Sequence, residues 1–140
     1  MAAAMKEAKA QGAAFYFAPE MSLLLDRNRE RAKANITLEG ENEWLRELAF
    51  LAEELDLWVH MGSVPVLSEH VPGRMANRSM LFDSSGQLAA RYDKMHLFDV
   101  DLATGESWRE SSAYVGGDAA VLAETPLGPM GLTICYDMRF

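Results

Sequence analysis

The sequence predicts a layered α/β domain. One segment, 44–55, repeats apolar residues at helical spacing, and short apolar runs closed by turn residues flank it on both sides. Helix and strand signals therefore alternate, as they do where helices cover a sheet. Apolar residues make up 49% of the chain, enough for a packed core, and the charged fraction of 24% is that of a folded domain, not a disordered chain.

Taken in order, residues 1–12 read as the end of a helix stopped by Gly12. The apolar run 13–18 suits a buried strand, and Pro19 closes it because proline has no N–H to pair. Residues 23–40 are charged and irregular, and read as loop with some helix. Trp44, Leu48, Leu51 and Leu55 form a core-facing helical stripe, with Asn42 placed to cap its start. Residues 57–64 read as one strand. The runs 77–82 and 87–92 form a hairpin around the turn 83–86. Residues 93–115 look like a long connection, and ordered connections of that length usually have a role. A second hairpin joins 119–124 to 130–134 around 125–129. No internal repeat or low-complexity segment is present. The chain starts inside a helix and stops at Phe140, where a layered α/β protein would begin its next helix, so residues 1–140 are expected to be part of a domain.

The charge excludes some functions. Twenty-one acidic against 13 basic residues give a formal charge of −8. Nucleic acids and anionic membranes select clustered Lys and Arg, so neither is an expected partner. No window reaches the roughly 18 apolar residues of a membrane span, and residues 1–9 lack the features of a secretory signal. The single cysteine forms no internal disulfide and fits a reducing, cytoplasmic setting. One Cys and three scattered His match no metal-ligand spacing, so no metal is expected, and no Gly-rich phosphate loop occurs.

Three positions stand out for chemistry, each with a bland alternative. Cys135 ends the apolar run Gly131-Leu-Thr-Ile-Cys135 and is followed by Tyr-Asp-Met-Arg139. A strand ending in a sharp turn lifts a nucleophile clear of the sheet and aims backbone N–H groups at an oxyanion; a buried, inert thiol would read the same. Glu20, directly after Ala18-Pro19, can take a thiol proton and return it to a leaving amine, or be a solvated loop residue. Lys94, in Arg91-Tyr-Asp-Lys94-Met-His-Leu-Phe98, can stabilise an oxyanion and lower a thiol pKa, or be a strand-end gatekeeper. Glu106 and Glu110 can each position that lysine. His96 would be the base of a Cys–His pair, but no Asn or Asp at a recognisable spacing orients it. Glu20, Lys94 and Cys135 share one feature: each is expected at a strand end, where α/β sites assemble.

The segments Phe17-Ala-Pro-Glu20, Tyr92-Asp-Lys94-Met-His-Leu-Phe-Asp99 and Leu132-Thr-Ile-Cys135-Tyr-Asp-Met-Arg-Phe140 resemble, in order and approximate separation, the three signatures of the nitrilase (carbon–nitrogen hydrolase) superfamily. The resemblance spans the whole chain and is nearest to the Nit branch of deaminated-glutathione amidase and ω-amidase. It implies a partial αββα sandwich lacking the opening strand and the C-terminal half. It implies Glu20 as general base and acid, Lys94 as oxyanion stabiliser and Cys135 as nucleophile. Glu110, in Arg109-Glu110-Ser111, suits the second glutamate better than Glu106. Tyr136 would contribute its backbone N–H to the oxyanion site. Arg139 would bind a substrate carboxylate, or be a structural ion pair. The substrate expected is a small carboxylate-bearing amide, cleaved with release of ammonia and without metal or organic cofactor. A nitrile, a carbamoyl amide or an acyl acceptor remains an alternative, as does a non-catalytic domain. A homo-oligomer is expected at full length, and a fragment of this extent is expected to be inactive with an apolar sheet face exposed.

Overall fold

In the computed structural model, residues 1–24, 26 and 28–140 are described; Leu25 and Arg27, within the expected loop 23–40, lie outside them. The alanine-rich segment Ala2–Ala10 forms α1, which buries Met5 completely and ends before Gly12. Phe15–Phe17 is β1. Arg29–Lys33 is α2, a short helix whose Asn28 cap accepts from Arg31 N. Glu43–Glu54 is α3, and Asn42 caps it as expected, its side chain accepting from Leu45 N at 3.1 Å.

The buried stripe of α3 is Leu45, Leu48, Leu51 and Ala52. Trp44, expected in the core, is 66% exposed. Positions 44 and 45 differ by about 100° around a helix, so two adjacent stripes share Leu48 and Leu51. The small Ala52 lets the helix approach the sheet along the stripe that carries Leu45.

The expected strand 57–64 is two strands. Trp58–His60 is β2 and Val64–Leu67 is β3, separated at Gly62. Met75–Phe82 is β4 and Leu88–Asp93 is β5, close to the expected hairpin. The connection after β5 holds a small hairpin of its own, β6 (Asp99–Asp101) and β7 (Ser107–Arg109), followed by a 3₁₀ turn at Glu110–Ser112. The last hairpin pairs β8 (Leu122–Thr125) with β9 (Gly128–Gly131), and its turn is tighter than expected because Thr125 Oγ1 bonds Gly128 O and accepts from Leu127 N. Residues 132–134 then run extended into a 3₁₀ helix, Cys135–Arg139.

β4 organises the main sheet. Its Phe82 and Leu81 pair with β2, and its 75–78 segment pairs with β3, so both strands share one edge. β5 takes the other edge, and β1 extends the sheet as a parallel neighbour of β2. α1 and α3 cover one face through Met5, Leu45, Leu48, Leu51 and Ala52, which pack on Val59, Val64, Val66, Ala76, Met80 and Phe82. Alternation along the strands sends Asn77, Ser79 and Leu81 to the opposite face, with Tyr92, His60 and the partly exposed Phe17 opposite them or beside them. The αββα sandwich is thus represented by one helix layer and one sheet layer. Among the described residues no helix is long and apolar enough to cross a membrane.

Gly62 is the hinge on which the sheet's end closes. Its φ is +63°, and a Cβ there would lie 2.1 Å from Pro19 O and 2.3 Å from Ala18 O. Both are backbone atoms and have no rotamer to escape by. Replacing Gly62 by Ala is expected to cost about 2 kcal/mol or more. Urea unfolding of wild type and variant measures this; equal midpoints would show that the loop at 18–20 is not packed against Gly62.

Candidate active site

The loop bearing Glu20 is tied to the residues around Gly62. Ala18 N–H donates to His60 O at 2.8 Å, Met21 N–H to Ser63 Oγ at 3.1 Å, and Ser22 Oγ to Met61 O at 2.7 Å. Met21 sits at φ +55°, an unfavourable conformation for a side chain with a Cβ, and these bonds hold it there. The Glu20 carboxylate emerges 37% exposed, with Oε1 accepting from Asn77 Nδ2 at 2.8 Å.

Lys94 is the first residue beyond β5. Its N–H donates to Asn77 O, and its carbonyl accepts from Gly117 N–H, both at 2.9 Å. Its side chain is 2% exposed, so the gatekeeper alternative fails. Nζ lies 2.8 Å from Glu110 Oε2 and 3.7 Å from Glu20 Oε1. Glu110 opens the 3₁₀ turn after β7 and accepts a second bond, from Phe98 N–H at 2.6 Å. Glu106 sits at the exposed tip of the β6–β7 hairpin and bonds Thr104. The structure therefore brings Glu110, not Glu106, to Lys94.

Cys135 starts the final 3₁₀ helix at φ +51°. The strained, left-handed residue at the end of an extended run is the expected elbow, although β9 itself ends at Gly131 and the run 132–134 lies outside the paired strand. Glu20 follows β1 by three residues, so of the three only Lys94 directly adjoins a strand end. Glu20, Lys94, Glu110 and Cys135 line one cavity of about 700 Å³, walled by apolar residues that include Ile36, Met75, Phe98, Trp108 and Tyr114.

Cys135 is exposed as a residue, so the buried-thiol alternative fails; partial desolvation of its thiol and then the Glu20 carboxylate push it above its ordinary value, the Lys94 ammonium pulls the other way, and a hydrogen bond to Glu20 and the charge of Glu110 add to the rise. The net direction is opposite to the expected activation by Lys94. Two carboxylates face one ammonium, and their charge adds to the rise that desolvation begins.

The match to known proteins is decisive at this point. The carbon–nitrogen hydrolase family model covers residues 1–140. The chain belongs to that family. It is 43% identical over 96 residues to deaminated glutathione amidase of Yersinia enterocolitica, covering 68% of this chain and 34% of that protein. It is 37% identical over 98 residues to omega-amidase NIT2 of Homo sapiens, covering 70% of this chain and 34% of that one. The chain thus spans about a third of the length of these relatives. Its fold superposes on the NitFhit protein of C. elegans with a TM-score of 0.83 at 26% identity, covering 97% of this chain and 33% of that chain. The fold also superposes on Nit3 of Saccharomyces cerevisiae, a member of branch 10 of the nitrilase superfamily, with a TM-score of 0.77 at 24% identity, covering 99% of this chain and 49% of that chain.

In this carbon–nitrogen hydrolase chain the segment after Cys135 is anchored by a residue to which sequence reasoning gave no role. Asp137 is buried and accepts four bonds: Tyr92 O–H at 2.6 Å, His96 N–H and Nδ1–H at 2.8 Å each, and Ile134 N–H at 2.9 Å. Burial works to raise its carboxyl, and the bonds from Tyr92, His96 and Ile134 outweigh that and hold it below its ordinary value. Burial, then the bond to Asp137, push Tyr92 up to about 12. His96, the alternative base, is thereby turned to Asp137. The signal for Asp137 was in the sequence, two residues past the cysteine, but its partners lie 41 and 45 residues away. Asn77 and Tyr114 were also missed; each is brought in from a distant strand or loop.

Tyr136 packs its ring edge-on against Phe98 and Phe140, with centroids 5.2 and 5.5 Å apart. Arg139 is exposed and forms no ion pair among the described residues, so the structural ion-pair alternative has no partner here.

Two outcomes are expected. Alkylation of Cys135 by iodoacetamide should have a pH midpoint above that of a free cysteine, falling in Glu20→Gln and rising in Lys94→Met; shifts of reversed sign would mean the charges do not face the sulfur. Asp137→Asn should cost about 2 kcal/mol at neutral pH. Because the folded carboxyl is held low, the wild-type advantage is present above its unfolded pKa and is lost as pH falls through the folded one. Chemical denaturation at several pH values reads the difference, and a gap that persisted in strong acid would refute this linkage.

Proposed function

We propose that this chain carries the catalytic residues of an amidase that hydrolyses small carboxylate-bearing amides to the acid and ammonia. The observation that carries the reading is the buried Lys94 ammonium set between Glu110 and Glu20 in the cavity that also holds Cys135. The family, and relatives named as amidases, support the same reaction class.

In this reading Glu20 takes the thiol proton as Sγ bonds the amide carbon. The carbonyl oxygen becomes an oxyanion, met by Lys94 Nζ and the Tyr136 N–H. Glu20 then returns the proton to the nitrogen, the C–N bond breaks, and ammonia leaves a thioester on Cys135. Water attacks the thioester with Glu20 as base, the C–S bond breaks, and the acid and thiol are released. Glu110 neutralises Lys94 at 2.8 Å, which leaves the more distant and more exposed Glu20 free to exchange protons.

Arg139, exposed but outside the lining of the cavity that holds Cys135, would have to reach in to take the substrate carboxylate through a bidentate bond. The whole protein would carry further sequence beyond this partial domain, self-associate, and work in a reducing, cytoplasmic setting without metal or organic cofactor.

The reading is tested by ammonia release from ω-amides. Cys135→Ala should abolish it. Glu20→Gln should lower it by about 10²–10⁴-fold while iodoacetamide still alkylates Cys135, which separates loss of the base from loss of the nucleophile. Full turnover in Cys135→Ala would refute the assignment.

A further inference from the structure

β4 carries Asn77 on the face away from the helices, and none of the residue is exposed. Its main chain is bonded on the active-site side, where its carbonyl accepts from Lys94 N–H at 2.9 Å. Its side chain has one bond, from Nδ2 to Glu20 Oε1 at 2.8 Å. The amide oxygen Oδ1 is buried and has no partner among the described residues. A fully buried amide normally spends both its oxygen and its nitrogen on partners. Asn77 spends only the end that meets Glu20.

The free end has a chemical consequence. Turning the amide over exchanges an N–H donor for a C=O acceptor of nearly the same size. In most buried sites that exchange breaks bonds at both ends. At Asn77 it breaks only the bond to Glu20. A carboxylate at Glu20 needs a donor, which Nδ2 supplies. With a proton on Oε1, Glu20 needs an acceptor, which the turned Oδ1 supplies. With the proton on the other oxygen, Oε1 is a carbonyl and again accepts from Nδ2.

We propose that Asn77 is a positioning residue that keeps Glu20 bonded at Oε1 through every protonation state of its cycle. The inference rests on the reading of Glu20 as base and acid. The other groups that face Glu20 cannot do this. Lys94 Nζ, at 3.7 Å, only donates and so favours the carboxylate alone. Glu110 is across Lys94 and is occupied by it and by Phe98. The Cys135 thiol is the partner in the proton exchange, and Tyr114 stands near both carboxylates with its hydroxyl held protonated by burial first and then by their charge. No covalent bond at Asn77 changes. The proton moves from Sγ to a Glu20 oxygen and later to the leaving nitrogen, and the amide turns to follow it.

The test uses the chain labelled with ¹³C at the glutamate carboxyl carbons. The Glu20 resonance is identified by its loss in Glu20→Gln, and its shift is followed against pH. Asn77→Ala removes a partner from both forms of Glu20; the charge-assisted bond to the carboxylate is the stronger, so the Glu20 midpoint should rise, but by less than the roughly one to two pH units that loss of a donor to the carboxylate alone would give. Asn77→Asp keeps the shape and places two carboxylates on one proton, so the midpoint should rise further. Circular dichroism establishes which variants are folded, and either folded variant suffices. An unmoved Glu20 midpoint in a folded variant, a rise of about two pH units or more in Asn77→Ala, as loss of a donor to the carboxylate alone would give, or an equal shift of the Glu110 carboxyl, would overturn the proposal. Ammonia release is measured in parallel in the protein that carries this chain, where Asn77→Ala should lower kcat about tenfold and change KM less than twofold. If Glu20→Gln leaves turnover intact, the catalytic reading of Glu20 has failed, whatever the titration shows.

Discussion

An ammonium group taken out of water has to be matched, and Lys94, 2% exposed, sets that demand for the whole site. An uncompensated buried charge costs several kcal/mol. The match is Glu110 at 2.8 Å. To supply it, the chain after β5 folds into the β6–β7 hairpin and a 3₁₀ turn, which returns residue 110 to the end of β5. Phe98 N–H donates to the same carboxylate oxygen and fixes the loop in between. The long connection is therefore ordered by polar contacts more than by apolar packing, since β6 and β7 are largely exposed; beside Lys94–Glu110, Arg109 pairs with Asp101, Ser111 N–H donates to Asp99, and Val115 N–H donates to Met75 O.

The same pair makes the two glutamates unequal. Glu110 is 14% exposed and doubly bonded, while Glu20 is 37% exposed and stands 3.7 Å from Nζ. Partial desolvation and the surplus of negative charge raise the thiol above its ordinary value. In the proposed reaction such a thiol is activated at the moment of attack by a neighbouring base and not by standing ionisation.

Two of the three non-glycine residues with positive φ among the described residues lie where these groups emerge, the third being Asp56. Cys135 and Met21, the neighbour of Glu20, both have positive φ, and each is held by bonds from the segments around it. At Cys135 the restraint comes through Asp137, which ties the elbow to Tyr92 on the sheet and to His96 beyond Lys94. At Met21 it comes through Ser63 and the close approach that Gly62 permits. Small structural residues thereby set the positions of the reactive ones.

The alternation of one helix with short strands, the Asn42 cap and the 77–92 hairpin were legible locally, because each depends on neighbours within a few residues. The elbow at Cys135 was legible for the same reason. The exposure of Trp44 was not, because two helical stripes share Leu48 and Leu51 and only the sheet chooses between them. Nor was the break at Gly62, whose cause is the backbone of residues 18 and 19. By itself the sequence determined the family and the layered class, and it marked Glu20, Lys94 and Cys135, since those lie in contiguous motifs. Only the tertiary structure decided that Glu110 and not Glu106 meets Lys94, that Asn77 and Asp137 join the site, and that the thiol is raised instead of lowered. Those outcomes are set by distances between groups 16 to 57 residues apart, and charge and hydrogen bonding act through distance in space.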